Sequence, residues 1–243
     1  RPGSGGVGVS SISLSVAVGD YARLRPLAPG ADQIDGVEPT FALLSPEAMF
    51  FRAFRHADFD ITEMSLSSYV VKIAQGDSPY VAVPVFPSRA FRHNAIFVRN
   101  DRGIQTPQDL RGRRIGIPEY QLTANVWARM ILEEDHGVTA SQITWVRGGY
   151  ETPGRPEKIK IELPPDVRIE EAPAGATLSA MLAAGDIDGL MGPRAPSPFD
   201  AGHPKISWLF PDPAAAALDW FSRTKIFPIM HVLGIRRTLV ERY

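Results

Sequence analysis

Short apolar runs alternate with helix-opening signals along nearly the whole chain, and this alternation constrains the fold more than any other feature. Ile12–Val18 starts with apolar and polar residues in turn and then becomes wholly apolar, which predicts a first strand. Glu38–Leu44 predicts a second. Ser45-Pro46-Glu47 then opens a helix, with Ser45 as the capping oxygen and Pro46 at the first position, where a missing N–H costs nothing. Phe59–Ile61 predicts a short strand, Ser65–Ala74 a helix, and Tyr80–Phe86 and Ala95–Val98 two more strands. Further on, Thr106–Leu110 has the form of a short capped helix. Arg114–Ile117 predicts a strand, Leu122–Glu134 a helix and Ile143–Val146 a strand. Lys158–Leu163 and Val167–Glu171 predict a hairpin turning over Pro164-Pro165-Asp166. Thr177–Ala184 predicts a helix, Asp188–Met191 a strand, Pro213–Arg223 a helix, and Ile229–Ile235 a strand leading back. Strand–helix alternation of this kind makes an α/β protein with mostly parallel sheets. There is no internal repeat and no low-complexity linker.

Composition removes several classes of function. Lys and Arg total 26 against 27 Asp and Glu, a net charge of −1, so there is no basic excess to neutralise the phosphates of a nucleic acid. No apolar run approaches the ~20 residues that span a bilayer, so membrane insertion is not expected. The chain has no cysteine, which excludes disulfides, thiolate nucleophiles and Cys-based zinc sites. Arg1–Ser11 is rich in Gly and Ser and reads as a disordered leader without the basic-plus-apolar pattern of a signal peptide.

Two blocks, Asp109-Leu-Arg-Gly-Arg-Arg-Ile-Gly-Ile117 and Leu178-Ser-Ala-Met-Leu-Ala-Ala-Gly-Asp-Ile-Asp-Gly-Leu190, resemble the second lobe of type II solute-binding proteins. Five others are sharper: Glu63-Met-Ser-Leu-Ser-Ser-Tyr69, Phe86-Pro-Ser-Arg-Ala-Phe-Arg-His93, Gly116-Ile-Pro-Glu-Tyr-Gln-Leu-Thr-Ala-Asn-Val-Trp-Ala-Arg129, Gly192-Pro-Arg-Ala-Pro-Ser197 and Phe227-Pro-Ile-Met-His231. In order, from about Ser13 onward, they resemble the 4,5-dihydroxyphthalate decarboxylase family. The resemblance implies a two-lobed α/β fold of the type II solute-binding kind. Each lobe is then a mixed, mostly parallel sheet flanked by helices, with the ligand cleft between lobes. It divides the chain into lobe 1 (12–95), lobe 2 (96–231) and a return segment (232–243), with crossings near Ala95–Val98 and Val232–Ile235. The rest of lobe 1 would follow Tyr243. It also implies a small aromatic dicarboxylate as substrate, no cofactor and a cytoplasmic enzyme of phthalate degradation. An exported receptor would instead need a signal segment upstream of Arg1. A homo-oligomer is compatible with the sequence, which does not specify oligomeric state.

Each sharp block follows a predicted strand, where open α/β sheets bind ligands. Arg89 and Arg92 lie three apart, and guanidinium groups grip carboxylates with paired hydrogen bonds. The turn Pro118-Glu119-Tyr120-Gln121 opens a helix whose free N–H groups suit an anion, with the Thr123 hydroxyl beside them. Tyr120 and Gln121 join the substrate-binding candidates. Ser65, Ser67 and Ser68 can cap a helix or bind a carboxylate. Arg194 either faces the ligand or bridges the lobes. Decarboxylation of a hydroxybenzoate needs a group to hold the para phenol and an acid to protonate the ring carbon. His93 or His231 is the proton donor expected here, with Glu63 or Glu119 as its partner. Asp20 is a further acid, base or substrate ligand. His56, His136 and His203 read as structural. No metal is expected, because no spacing of the His-Glu-x-x-His kind occurs. The competing readings are a transport or sensing receptor for a small anion, and a biosynthetic enzyme acting on another aromatic acid.

Overall fold

The computed structural model describes residues 11–27 and 35–243. The predicted leader lies outside them except for Ser11. In chain order the elements are β1 (Ile12–Val18), β2 (Val37–Leu43), α1 (Pro46–His56), β3 (Ile61–Ser65), α2 (Leu66–Ala74), β4 (Tyr80–Arg89), β5 (Ile96–Arg99) and β6 (Arg114–Ile117). There follow α3 (Thr123–His136), β7 (Thr144–Arg147), β8 (Arg168–Glu171), α4 (Leu178–Ala184), β9 (Gly189–Met191), α5 (Ser197–Asp200), β10 (Ile206–Trp208), α6 (Pro213–Thr224), β11 (Ile229–Arg236) and α7 (Arg237–Arg242).

The chain forms two compact units. The first holds the described residues up to Met64, Lys72–Pro87 and Val232–Tyr243; the second holds Ser65–Val71 and Ser88–His231. The first long crossing thus falls between Pro87 and Ser88, inside β4, earlier than the expected Ala95–Val98. A strand can carry a crossing because its backbone bonds go to neighbouring strands, not along its own length.

The first unit is built on the sheet β2-β1-β3-β11-β4. β1 runs parallel to β2 from Ile12 opposite Val37 to Val18 opposite Leu43. Its apolar second half, Val16, Ala17 and Val18, is buried. Against it, α1 turns inward Met49, Phe50, Ala53 and Phe54, spaced at helical intervals. The Ala48 N–H donates to Ser45 Oγ at 3.4 Å, so the predicted cap forms.

The second unit is built on β10-β5-β9-β6-β7-β8. β6 runs parallel to β7 and β9, and β7 parallel to β8, while β5 runs antiparallel to β9 and β10. Successive strand residues fall into different apolar clusters. Ile96, Val98, Trp145 and Met191 join one, with Ile131, Leu132 and Trp220. Phe97, Val146 and Leu190 join the other, with Leu178 and Leu182. Side chains alternate across a strand, so two clusters mean two covered faces. Burial on both sides is why these strands read as unbroken apolar runs.

The predicted hairpin is not present. β8 pairs parallel with β7, Thr144 opposite Arg168, and Lys158–Leu163 forms no strand. Two physical reasons apply. Pro156, Pro164 and Pro165 supply no N–H to a ladder. Lys158 is also drawn inward to a buried carboxylate, described below. β10, α5 and α7 were not anticipated; each is short and opens without a strong apolar pattern.

Candidate active site

β6, β7 and β9 all end at one edge of the second unit's sheet. Because β5 is antiparallel to β9 and pairs Ile96 with Met191, the residues before β5 reach that edge as well. Four connections therefore meet there: 88–95, 118–122, 148–151 and 192–196. The Gly192 N–H donates to the Ala95 carbonyl at 2.9 Å, and the Leu178 N–H to the Gly149 carbonyl at 2.9 Å. Gly192 has a steric reason to be glycine, since a Cβ there would lie 2.4 Å from the Tyr150 ring. The ring occupies that space, and its hydroxyl donates to the Arg194 carbonyl.

Arg92 is the most informative residue of the edge. Its Nη1 donates to the Pro193 carbonyl at 3.2 Å and its Nε contacts the Met230 sulfur at 3.0 Å. Both partners are neutral. Burial pulls its guanidinium down to about 10, which leaves it charged at neutral pH. Among the described residues no carboxylate pairs with it. Even a half-buried charge is costly without a counter-charge, so such a group marks an anion site.

Glu119, 1% exposed, lies early in the connection that follows β6 and collects four donors. Arg155 reaches Oε1 through Nε at 2.9 Å and Nη2 at 2.7 Å. Lys158 Nζ and Gln121 Nε2 reach Oε2 at 2.7 and 2.9 Å. Burial pushes the Glu119 carboxyl up, but the Lys158 and Arg155 charges more than reverse this, and it stays below the ordinary carboxylate value. Glu119 is therefore a fixed anion rather than a proton donor near neutral pH. The Asn125 side chain donates to its backbone carbonyl at 3.0 Å.

The hydroxyl groups form a row with a forced direction. Ser67 Oγ donates to the Gln121 carbonyl, which uses its single hydrogen. In the 2.9 Å bond between Ser67 and Thr123, Thr123 must then be the donor. In the 2.8 Å bond between Thr123 and Ser65, Ser65 must be the donor. Ser68 donates to Ser65 at 3.2 Å. The Ser67 N–H also donates to Thr123 Oγ1 at 3.1 Å. The row ties the start of α2 to the start of α3, and each of its hydroxyl hydrogens is already engaged.

The remaining candidates have other surroundings. Glu63 belongs to the first unit, where its buried carboxylate accepts the Gly19 N–H at 3.0 Å and the Tyr21 hydroxyl at 2.7 Å. Asp20 is exposed nearby in sequence. The Tyr120 ring is covered by the Arg129 guanidinium, 3.7 Å from its centroid, and Arg129 Nη1 donates to the Tyr120 carbonyl at 2.8 Å. Arg194 is exposed and lies 5.3 Å from the Tyr150 centroid. Arg89 is exposed, and His231 is half-buried next to Met230 on β11.

His93 sits among aromatic rings, its centroid 5.3 Å from that of Phe210 and 6.0 Å from that of Trp220, and its Nδ1 has no hydrogen-bond partner. Burial lowers its pKa from 6.5, with Asp135 opposing this and His136 and Arg223 reinforcing it. The folded protein thus favours neutral His93 more than the unfolded chain does. Its contribution to stability is complete above pH 6.5 and is lost as pH falls through the folded-state value. His93→Phe is expected to flatten the decline in unfolding free energy as pH falls below 6.5, read from urea titrations at each pH. An unchanged slope would remove His93 as its source.

Arg155, Lys158 and Glu151 had no signal in sequence. The first two lie in the Pro-rich stretch Thr152-Pro-Gly-Arg-Pro-Glu-Lys158, which has no periodicity. Glu151 accepts from Ser179 Oγ at 2.7 Å and from the Ser197 N–H at 2.9 Å, fixing the start of α5 beside Arg194. Among the described residues no group of three or more His, Asp or Glu side chains is placed to hold a metal ion. None of the described helices is long and apolar enough to cross a membrane.

Comparison with known proteins places this geometry in context. Residues 32–152 match a family described as the periplasmic substrate-binding protein of a phosphonate ABC transporter. The chain is 63% identical over 235 residues to a 4,5-dihydroxyphthalate decarboxylase of Comamonas testosteroni, covering 97% of this chain and 71% of the relative. It is 64% identical over 213 residues to a 4,5-dihydroxyphthalate decarboxylase of Pseudomonas putida, covering 88% and 83%. Among solved structures it resembles the periplasmic aliphatic sulphonate binding protein SsuA of Escherichia coli, with a TM-score of 0.55, 13% identity, and coverage of 96% of this chain and 68% of that one. The alkanesulfonate-binding protein SsuA of Xanthomonas axonopodis pv. citri gives a TM-score of 0.53 at 12% identity, covering 95% and 68%. At such identities the structural likeness establishes the type II solute-binding fold.

Proposed function

This chain belongs to the 4,5-dihydroxyphthalate decarboxylase family, and on that premise we propose that it converts 4,5-dihydroxyphthalate to 3,4-dihydroxybenzoate and carbon dioxide without oxidation. It is a carboxy-lyase, and family membership favours this over the receptor reading. The observation that carries the site assignment is Arg92, a half-buried cation whose contacts at the carboxyl edge of the sheet are neutral.

The chemistry explains what such a site must supply. Electrons left by a departing carboxylate lie in the ring plane and cannot enter the π system. A hydroxyl para to that carboxylate opens another route. As the phenolic proton leaves and the ring carbon bearing the carboxylate is protonated, the ring becomes a dienone. The C–C bond then breaks, its electron pair restores the aromatic ring, and carbon dioxide departs. One proton enters at carbon and one returns to the phenol oxygen, so the step needs no external oxidant. Arg92 seats the carboxylate that stays. His231 is the proton donor in this scheme, since the rings around His93 leave it poorly placed for the task. Glu119, held ionised, positions the donors around it.

The test is to incubate the purified protein with 4,5-dihydroxyphthalate and follow carbon dioxide and 3,4-dihydroxybenzoate together. Equal yields of both support the proposal. Tight binding without turnover would sink it and restore the receptor.

A further inference from the structure

Gln121 is 3% exposed, yet its Oε1 has no hydrogen-bond partner. Buried carbonyl oxygens are rarely left so, and each exception needs a donor. Amide oxygen and nitrogen are easily exchanged, so the orientation must be checked chemically. Here it is decided by Glu119. The atom facing Glu119 Oε2 at 2.9 Å must be the NH2, because an oxygen there would oppose a carboxylate that is held ionised. The other atom is therefore an acceptor. Asn125 repeats the pattern, its Nδ2 donating to the Glu119 carbonyl at 3.0 Å and its Oδ1 left without a partner.

Gln121 is anchored at both ends. Its backbone carbonyl terminates the hydroxyl row and its side-chain NH2 is tied to Glu119. Its oxygen is thus aimed before any ligand arrives, in the connection that follows β6. Arg92 lies in the connection before β5, and β9 alone separates β5 from β6 in the sheet. The edge therefore presents a cation without a counter-anion and an acceptor without a donor. An aromatic acid that also bears phenolic hydroxyls supplies both. A ring with carboxylates alone supplies only the first.

We infer that Gln121 Oε1 accepts a hydrogen bond from a ring hydroxyl of the substrate and so selects hydroxylated aromatic acids over unhydroxylated ones. This deepens the decarboxylase reading and rests on it. Glu119 acts here as a positioning residue, through Gln121.

The test uses ligands that are not turned over. Affinities for 3,4-dihydroxybenzoate, 3,4-difluorobenzoate and phthalate are measured by calorimetry on the wild type and on Gln121→Met. Fluorine is close to a hydroxyl in size and carries no hydrogen to donate. The wild type is expected to bind the dihydroxy acid about tenfold more tightly than the difluoro acid, the scale of one buried hydrogen bond. In Gln121→Met that ratio should fall to about one, through loss of the dihydroxy acid alone, with phthalate affinity retained. A ratio unchanged by the substitution would overturn the inference and leave Oε1 bonded to an internal water only. An equal loss for all three ligands would also overturn it, since a purely structural role has that effect. If Gln121→Met does not fold, the wild-type ratio decides, and a value near one refutes the inference. Failure of the decarboxylase reading is seen separately, as wild type that releases no carbon dioxide from 4,5-dihydroxyphthalate.

Discussion

Replacing Arg92 with methionine is expected to lower kcat/KM for 4,5-dihydroxyphthalate at least about a hundredfold and, at the same time, to raise the melting temperature. The two effects share one cause. In the protein without ligand the guanidinium is partly desolvated and meets only a carbonyl oxygen and a thioether. Its burial costs free energy that no carboxylate returns, and an apolar chain of similar length removes this penalty. With substrate bound, the same guanidinium makes charge-assisted bonds worth about 1.5–3 kcal/mol each, and losing two of them accounts for the expected fall. Arg92→Lys keeps the charge but loses the planar fork, and should fall between the two. Product formation and scanning calorimetry read the two effects. A variant that is less stable and fully active would show Arg92 to be a structural residue.

Glu119→Gln is expected to destabilise the second unit by about 3–5 kcal/mol, because Arg155 and Lys158 lose the buried carboxylate they share. Lys158 is 5% exposed and has no room to swing its ammonium into water. A urea titration measures the loss as a lower midpoint with little change in slope. The pH dependence supplies a second check. Glu119 titrates below its ordinary value of 4.5 in the folded state, so its contribution is complete above about that pH. The contribution is lost as pH falls through the folded value, and Glu119→Gln should remove that part of the acid transition. This window opens at about pH 4.5, below the pH 6.5 at which the His93 window opens. A variant as stable as wild type would mean that the Arg155 and Lys158 contacts contribute nothing.

Much of the fold was legible because local rules and tertiary structure agree. Ser45-Pro46 marks the start of α1, and the apolar run Ile96–Val98 marks β5, because capping and burial on both faces leave short-range traces. The antiparallel turn of β5 against β9 left none, since its partners lie more than ninety residues apart in sequence and periodicity is blind to direction. The site divides in the same way. Arg92, Gln121 and Thr123 were legible as residue types suited to an anion, and Glu119 as an acid or base, all placed just after strands. What each one does was not. Glu119 changes from a proton carrier to a fixed anion only when Arg155 and Lys158 arrive from the Pro-rich stretch. His93 changes from acid to packing group only when Phe210 and Trp220, more than a hundred positions away, close around it. These changes depend on desolvation, which is a property of the assembled unit and not of any window of sequence.

The row of hydroxyls from Ser68 to the Gln121 carbonyl also bears on proton traffic. Rows of this kind conduct protons elsewhere by passing a hydrogen from each oxygen to the next. This row ends on an amide oxygen, which is far too weak a base to receive one near neutral pH. Reversing the flow would require every hydrogen to turn at once, including the one that Ser67 gives to that carbonyl. The row is therefore a strut and not a wire. Protons that reach the substrate ring must come by another route, and solvent isotope effects on turnover should pass unchanged through Ser68→Ala.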